Sequence, residues 1–266
     1  MNYKLLVSDL DGTLLNSKSE ITDNIKKAVG NLTAAGKRIV ISSGRCYKST
    51  STFERELGLD VPGGLGIGFN GGMIYETDTL RVLYERRLSR TLAMEIIAEL
   101  RKTGEAIVVY VGERLIAEKE TEEAIAYKNH AGLPLEILPF ENITQDISKI
   151  LVKGQPEVLN EIEEYMKPIV SDKINMFHSA LRLLEFCDTD VHKGAGLRYL
   201  CEMLKIDVSR TIAVGDNAND VSMIEAAGLG IAVANSEDCV KKAADIVLPF
   251  SNDQDAIVEV ISRYIL

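Results

Sequence analysis

Leu5-Leu6-Val7-Ser8-Asp9-Leu10-Asp11-Gly12-Thr13 is the segment whose reading decides the fold. A short apolar run closes on two carboxylates, a glycine and a hydroxyl. The run suits a buried strand, and the polar residues that end it suit a turn. From Thr22 the period changes, with Ile25, Ala28, Val29 and Leu32 at helical spacing, Thr22 as N-cap and Gly36 as stop. A second apolar run over 38–41 ends in Ser42-Ser43-Gly44-Arg45. Strand, helix and strand of these lengths form the pattern of a parallel βαβ unit.

The rhythm returns near the C-terminus. Helices are expected over 193–204, 219–227, 237–244 and 255–265, alternating with strands over 211–214, 230–234 and 246–248. The middle has another texture: a helix over 89–103, a hairpin of 106–111 and 114–117 turning at Gly112-Glu113, a helix over 122–130, a strand over 149–152, a helix over 157–166 and extended segments over 174–177 and 181–186. The expected architecture is α/β. Residues 1–84 and 187–266 form a doubly wound parallel sheet of Rossmann type, and residues 85–186 form an inserted α+β cap.

With 266 residues, 46% hydrophobic and 26% charged, the chain can bury substantial cores. No apolar run approaches the roughly 18 to 20 residues that span a bilayer. Met1-Asn2-Tyr3-Lys4 leads into an apolar run too short for a signal peptide, so a cytoplasmic location is expected. A net charge of −10 speaks against nucleic-acid and anionic-lipid partners but not against a small anionic substrate. Cys46, Cys187, Cys201 and Cys239 form no Cys-x-x-Cys pair, and His130, His178 and His192 lack helical metal-ligand spacing. Neither structural zinc nor a disulfide framework is expected.

Ligands of doubly wound sheets bind beyond the C-terminal strand ends. Here those ends carry Asp9 and Asp11, Ser42 and Ser43, and Asp216, Asn219 and Asp220, with Lys193 opening the helix between the last two. A phosphate dianion meeting a carboxylate is repelled by about 4 kcal/mol per charge pair at 4 Å and an effective dielectric of 20. Cations must offset that. Asp9, Asp216 and a backbone carbonyl suit Mg²⁺, Lys193 adds a second positive charge, and Ser43 with nearby backbone N–H groups suits the remaining phosphoryl oxygens. Of Asp9 and Asp11, one carboxylate can attack while the other donates a proton to the leaving oxygen. Taken singly, each cluster would be an ordinary turn, cap or solvated lysine; their joint order is what points to phosphoryl transfer. Two other patterns carry no such weight. Gly66-Ile67-Gly68-Phe69-Asn70-Gly71 matches a dinucleotide fingerprint, but no strand precedes it and no helix follows. Arg81, Arg86, Arg87 and Arg90 read as a solvated face.

The motifs 6–15, Ile41-Ser42-Ser43-Gly44-Arg45, His192-Lys193-Gly194 and 214–220 resemble those of the haloacid dehalogenase superfamily, and within it the Cof-type sugar phosphatases. Asn70-Gly71 and Ala232-Val233-Ala234-Asn235 are similar too. The resemblance implies Asp9 as nucleophile and Mg²⁺ ligand, and Asp11 as general acid/base whose carbonyl also binds the metal. It implies Asp216 as the other ligand, with Asp220 behind it. Ser43, Lys193, Asn219 and backbone groups at Leu10 and Gly44 would hold phosphate, Ser43 being preferred to Ser42 for its place before Gly44-Arg45. The cap would select the leaving group. Asn235-Ser236 stands where relatives carry Asn-Ala, and Gln254-Asp255-Ala256-Ile257 where they carry Glu-Asp-Gly-Val. The implied function is a Mg²⁺-dependent phosphatase of small phosphorylated metabolites, sugar phosphates above all, working as a monomer or small homo-oligomer. A sugar phosphomutase and a phospho-acceptor switch remain as alternatives; the dehalogenase reaction needs no acid at Asp11, and a P-type ATPase would need membrane spans.

Overall fold

The computed structural model describes residues 3–170 and 172–266; Met1 and Asn2, which begin the first expected unit, lie outside them. In chain order the elements are β1 (Leu5–Ser8), α1 (Asp23–Ala34), β2 (Arg38–Ile41), α2 (Tyr47–Glu56), β3 (Leu65–Gly68), β4 (Met73–Glu76), β5 (Val82–Glu85), α3 (Arg90–Leu100), β6 (Ala106–Val111), β7 (Arg114–Ala117), α4 (Glu122–Ala131), β8 (Leu135–Ile137), β9 (Lys149–Lys153), α5 (Pro156–Val170), β10 (Ile174–Ala180), β11 (Leu183–Asp188), α6 (Lys193–Leu204), β12 (Thr211–Gly215), α7 (Val221–Ala226), β13 (Leu229–Ala232), α8 (Asp238–Ala243), β14 (Ile246–Val247) and α9 (Ala256–Val260). The chain divides into two compact units, one running up to Tyr84 and resuming at His192, the other Glu85–Val191. The second boundary falls after Val191 rather than after Phe186 because β11 runs on to Asp188.

The first unit is built on a parallel sheet of order β14-β13-β12-β1-β2. Strand alternation divides its side chains between two cores. Leu6, Ile39, Ile41, Ile212, Val214 and Ile231 face α1 and α9, meeting Ile25, Val29, Leu32, Ile257 and Val260. Leu5, Val7, Val40, Ala213 and Ala232 face the other way, onto Leu197 and Leu200 of α6, Met223 and Ile224 of α7 and Val240 of α8. Each fully buried Val, Leu, Ile or Met among them contributes about 1.5–3 kcal/mol. β1 lies between β2 and β12, so the C-terminal ends of these three strands form one rim. Beyond β2, Ser42 bridges to Ile67 of β3, which pairs antiparallel with β4 in a sheet of order β3-β4-β5.

Several boundaries depart from expectation for visible reasons. The helix expected from Asn219 begins at Val221, after a 3-10 turn at Ala218–Asp220 in which Asn217 and Asp220 form a capping box. The closing helix starts at Ala256, since Asp255 is left-handed, and its last turn widens at Ile261–Ile265. α2 was not expected at all. Its buried face consists of Tyr47, Thr50 and Glu54 rather than aliphatic residues.

The second unit has a six-stranded sheet of order β10-β11-β9-β6-β7-β8, with the β6–β7 hairpin turning at Gly112 as expected. One face carries Ile107, Val109, Ile150, Val152, Leu184 and Phe186 in a core completed by α3 and α5. On the other face Lys149 donates to Glu185 at 2.9 Å, with both side chains buried, and Ser179 donates to the same carboxylate at 2.7 Å. The arginine group is engaged locally: Arg81 with Glu76, Arg86 with Asp188 and Asp190, Arg87 with Glu85, and Arg90 with the carbonyls of Ile143 and Glu141.

Under α2 in the first unit, Tyr75 of β4 donates to Glu54 at 2.6 Å and lies 2.5 Å from the hydroxyl of Thr50. Glu54 is 1% exposed, and burial pushes its carboxyl up to about 7. The folded protein therefore holds a proton that the unfolded chain releases near pH 4.5. The resulting stability is present below that pH and is lost as pH rises through about 7. Replacing Glu54→Gln is expected to shrink the fall in stability between pH 5 and pH 8 by about 2–3 kcal/mol. Urea unfolding at the two pH values measures this; an unaltered pH dependence would contradict it.

Candidate active site

The rim at the ends of β1, β2 and β12 gathers Asp9, Lys193, Asp216 and Asp220. Asp9 follows β1 directly, and its backbone N–H donates to Val214 of β12 at 2.9 Å. Lys193 is the first residue of α6, entirely buried, and its Nζ donates to Asp9 Oδ1 and to Asp220 Oδ1, the latter at 2.5 Å. An ammonium at a helix N-terminus opposes the helix dipole, so these two carboxylates are what make the placement tenable. Ahead of it His192 is the N-cap, its Nδ1 accepting from Ala195 N at 3.1 Å.

Asp220 spends its other oxygen on the backbone N–H groups of Asp216 (2.9 Å) and Asn217 (3.0 Å). Both of its oxygens are thus engaged by the protein, and its side chain is 0% exposed. Asp216 accepts from Thr13 Oγ1 at 2.6 Å. Gly12 lets the chain turn beside it: φ is +81°, and a Cβ there would lie 2.4 Å from Asp216 Oδ2. A side chain would need both a left-handed backbone and space the carboxylate already fills.

Ligand atoms of Asp9, Asp216 and Asp220 all lie within 4.8 Å of one another. Burial pushes the Asp9 carboxyl well up, and the charges of Asp220 and Asp216 add to that, against the pull of Lys193. Burial and the charge of Asp220 bring Asp216 up to about 6, while the Thr13 hydrogen bond works the other way. Burial alone would lower the Lys193 value; the charges of Asp220 and Asp9 outweigh it and hold the ammonium protonated. If all were ionised, three carboxylates against one ammonium would leave two negative charges in a largely buried site, and burial together with that crowding is what raises Asp9 and Asp216. Hard oxygen donors with that excess fit a divalent cation such as Mg²⁺, with Asp9 and Asp216 the carboxylates best able to hold it, because Asp220 is already engaged.

The Asp11 side chain stands apart from this cluster. It is held at two points by Arg45, from Nε at 2.8 Å and from a terminal guanidinium nitrogen at 2.6 Å, and the guanidinium lies over the Phe53 ring of α2. Arg45 carried no role in the sequence reading, nor did Thr13, since pairing across the fold leaves no local pattern. The carbonyl of Leu10 accepts from Leu14 and Leu15. Ser43 Oγ accepts from Arg45 N at 3.2 Å, which leaves its O–H free to donate, whereas Ser42 Oγ is buried with no partner among the described residues. Gly44 packs against the amide of Asn70, and Asn70 Oδ1 accepts from Asn219 Nδ2 at 2.9 Å. Two later residues secure the acid loop: Asn235 donates to Gly12 O at 2.8 Å, and the Ser236 hydroxyl, absent from an Asn-Ala sequence, donates to Gly215 O at 3.1 Å.

Known proteins place the whole chain in one family. The family described as haloacid dehalogenase-like hydrolase matches residues 6–261. A haloacid dehalogenase-like hydrolase from Bacteroides thetaiotaomicron superposes with a TM-score of 0.88 at 31% identity, over 98% of this chain and 99% of that one. The pyridoxal phosphate phosphatase YbhA of Escherichia coli is 28% identical over the whole of both chains. The 5-amino-6-(5-phospho-D-ribitylamino)uracil phosphatase YitU of Bacillus subtilis is 24% identical over 98% of this chain and 97% of its own. No helix among the described residues is long and apolar enough to cross a membrane. Family match, whole-length likeness and the acid-lysine rim lead to one conclusion: the chain belongs to the haloacid dehalogenase-like hydrolases and is a phosphatase of that family.

Proposed function

We propose that the protein is a Mg²⁺-dependent phosphatase that passes the phosphoryl group of a small metabolite to Asp9 and then to water. The observation that carries this reading is the buried Lys193 ammonium shared by Asp9 and Asp220 beside Asp216. An oxygen of Asp9 attacks phosphorus, the bond from phosphorus to the leaving oxygen breaks, and Asp11 gives that oxygen a proton. Donation requires the Asp11–Arg45 ion pair to open, because Arg45 engages both carboxylate oxygens. Water then attacks the aspartyl phosphate, Asp11 takes its proton, and Asp9 is released as carboxylate. Lys193 neutralises charge on Asp9 and on the phosphoryl oxygens, while Ser43, Asn219 and the backbone at Leu10 and Gly44 orient them. A Mg²⁺ held by Asp9, Asp216 and the Asp11 carbonyl would supply electrostatic stabilisation of the transferring group.

Substrate choice is assigned to the second unit, Glu85–Val191, as the cap. The substrates named for the relatives, a pyridoxal phosphate and a phosphoribitylaminouracil, are small phosphate monoesters. Sugar phosphates are the first class to try on this chain, in the cytoplasm, where such esters are made.

With p-nitrophenyl phosphate and Mg²⁺, wild type is expected to release phosphate and Asp9→Asn to fall to background. Asp11→Asn should lose about 10²–10⁴-fold in kcat. Full activity in Asp9→Asn would remove the covalent mechanism, and isomerised ester in place of free phosphate would make the enzyme a mutase. A second expectation concerns the acid cluster. Asp216→Asn should raise the metal-free melting temperature by about 2–4 °C by relieving carboxylate crowding, and it should abolish the further rise that Mg²⁺ gives wild type. A Mg²⁺ shift that survives the substitution would place the cation elsewhere.

A further inference from the structure

Between β3 and β4 the backbone passes through three successive left-handed residues, Phe69 (φ 49°), Asn70 (φ 55°) and Gly71 (φ 95°). That conformation is unfavourable for residues other than glycine, and it persists where surrounding contacts over-determine it. Here the contacts are to the phosphoryl rim. Phe69 N donates to Arg45 O and Asn70 N to Ser43 O, each at 3.0 Å. A Cβ on Gly71 would lie 2.2 Å from the carbonyl oxygen of His192, the residue before Lys193. The Asn70 side chain is 1% exposed, and its Oδ1 accepts from Asn219 Nδ2. One turn thus touches the ends of β2, α6 and the segment after β12.

We infer that Asn70 is a positioning residue of the phosphoryl pocket, its amide oxygen deciding which end of the Asn219 amide faces the phosphate. The inference rests on the phosphatase reading above. An asparagine amide presents two N–H donors at one end and an acceptor at the other. Turned the wrong way, Asn219 would aim its oxygen at a dianion. Its Oδ1 is buried without a partner among the described residues, so the bond to Asn70 is what holds the orientation. With Nδ2 bound to an oxygen that can only accept, one N–H of Nδ2 is engaged and the second stays available to a phosphoryl oxygen. Asparagine suits the position twice over, because it tolerates the left-handed region better than most residues and carries the needed carbonyl.

The test uses the Mg²⁺-loaded full chain and inorganic phosphate as probe, with binding followed by titration calorimetry. Asn70→Gly keeps the left-handed backbone and removes the amide. It is expected to weaken phosphate binding and lower kcat/KM for p-nitrophenyl phosphate by about 10–100-fold each, with Mg²⁺ affinity unchanged. Asn219→Ala should show a similar loss, and the double variant no more than Asn219→Ala alone, because Asn70 acts through Asn219. A general structural role would instead multiply the two losses. Multiplied losses, phosphate affinity retained in Asn70→Gly, or no phosphate binding by wild type would each overturn the inference. Should Asn70→Gly fail to fold, Asn70→Asp takes its place: it tolerates the left-handed backbone and keeps only acceptor oxygens, so it is expected to lose no more phosphate affinity than Asn219→Ala, and a larger loss would overturn the inference. A wild type that binds phosphate but hydrolyses no ester would refute the phosphatase reading, while the binding comparison still decides the role of Asn70.

Discussion

Lys193 is an ammonium with no access to water, held between two carboxylates. Burying an ion is costly enough that it survives only with close, well-directed partners. Asp9 and Asp220 are those partners, and they come from the ends of β1 and β12, which lie side by side in the sheet. The carboxylates in turn depend on the lysine, since Asp216 stands beside them and three acids crowd around one ammonium. Removing any one member changes the charge state of the others. The site is therefore one electrostatic unit rather than a set of independent residues.

Much of the surrounding structure keeps that unit in register. The parallel pairing of β1 with β2 and β12 brings the three strand ends to one rim. Two opposed aliphatic cores fix the sheet from both faces, so the rim cannot shift without breaking packing. Hydrogen bonds from Thr13, Asn235 and Ser236 and the turn at Gly12 then set the acid loop itself. Asp220 shows why such support matters. Its carboxylate serves the lysine with one oxygen and two backbone N–H groups with the other, so it shapes the loop that carries Asp216.

The alternation of short apolar runs with helical periods made the parallel sheet legible, because both faces of that sheet are covered by aliphatic residues at regular spacing. The strand ends were legible for the same reason, as polar residues that stop an apolar run. α2 escaped notice because Lys48-Ser49-Thr50-Ser51-Thr52 has poor intrinsic helix propensity and its buried face is polar, held by Tyr75 and Glu54 across the fold. The Arg45–Asp11 pair and the Asn70–Asn219 bond join residues distant in sequence, and no local spacing announces them. Gly66 to Gly71, which only resembled a nucleotide fingerprint, is a strand and a left-handed turn whose asparagine reaches the site.

The central claim is that Asp9 accepts the phosphoryl group within this charged unit. A crystal structure of the protein with Mg²⁺ and beryllium fluoride, a mimic of the phosphoryl group on carboxylate, tests it most directly. Beryllium is expected on an oxygen of Asp9, with Mg²⁺ contacting Asp9 and Asp216 and with Lys193, Ser43 and Asn219 directed at the fluorines. Beryllium fluoride on any other side chain, or an Asp9 left bare while Mg²⁺ is bound, would contradict the account.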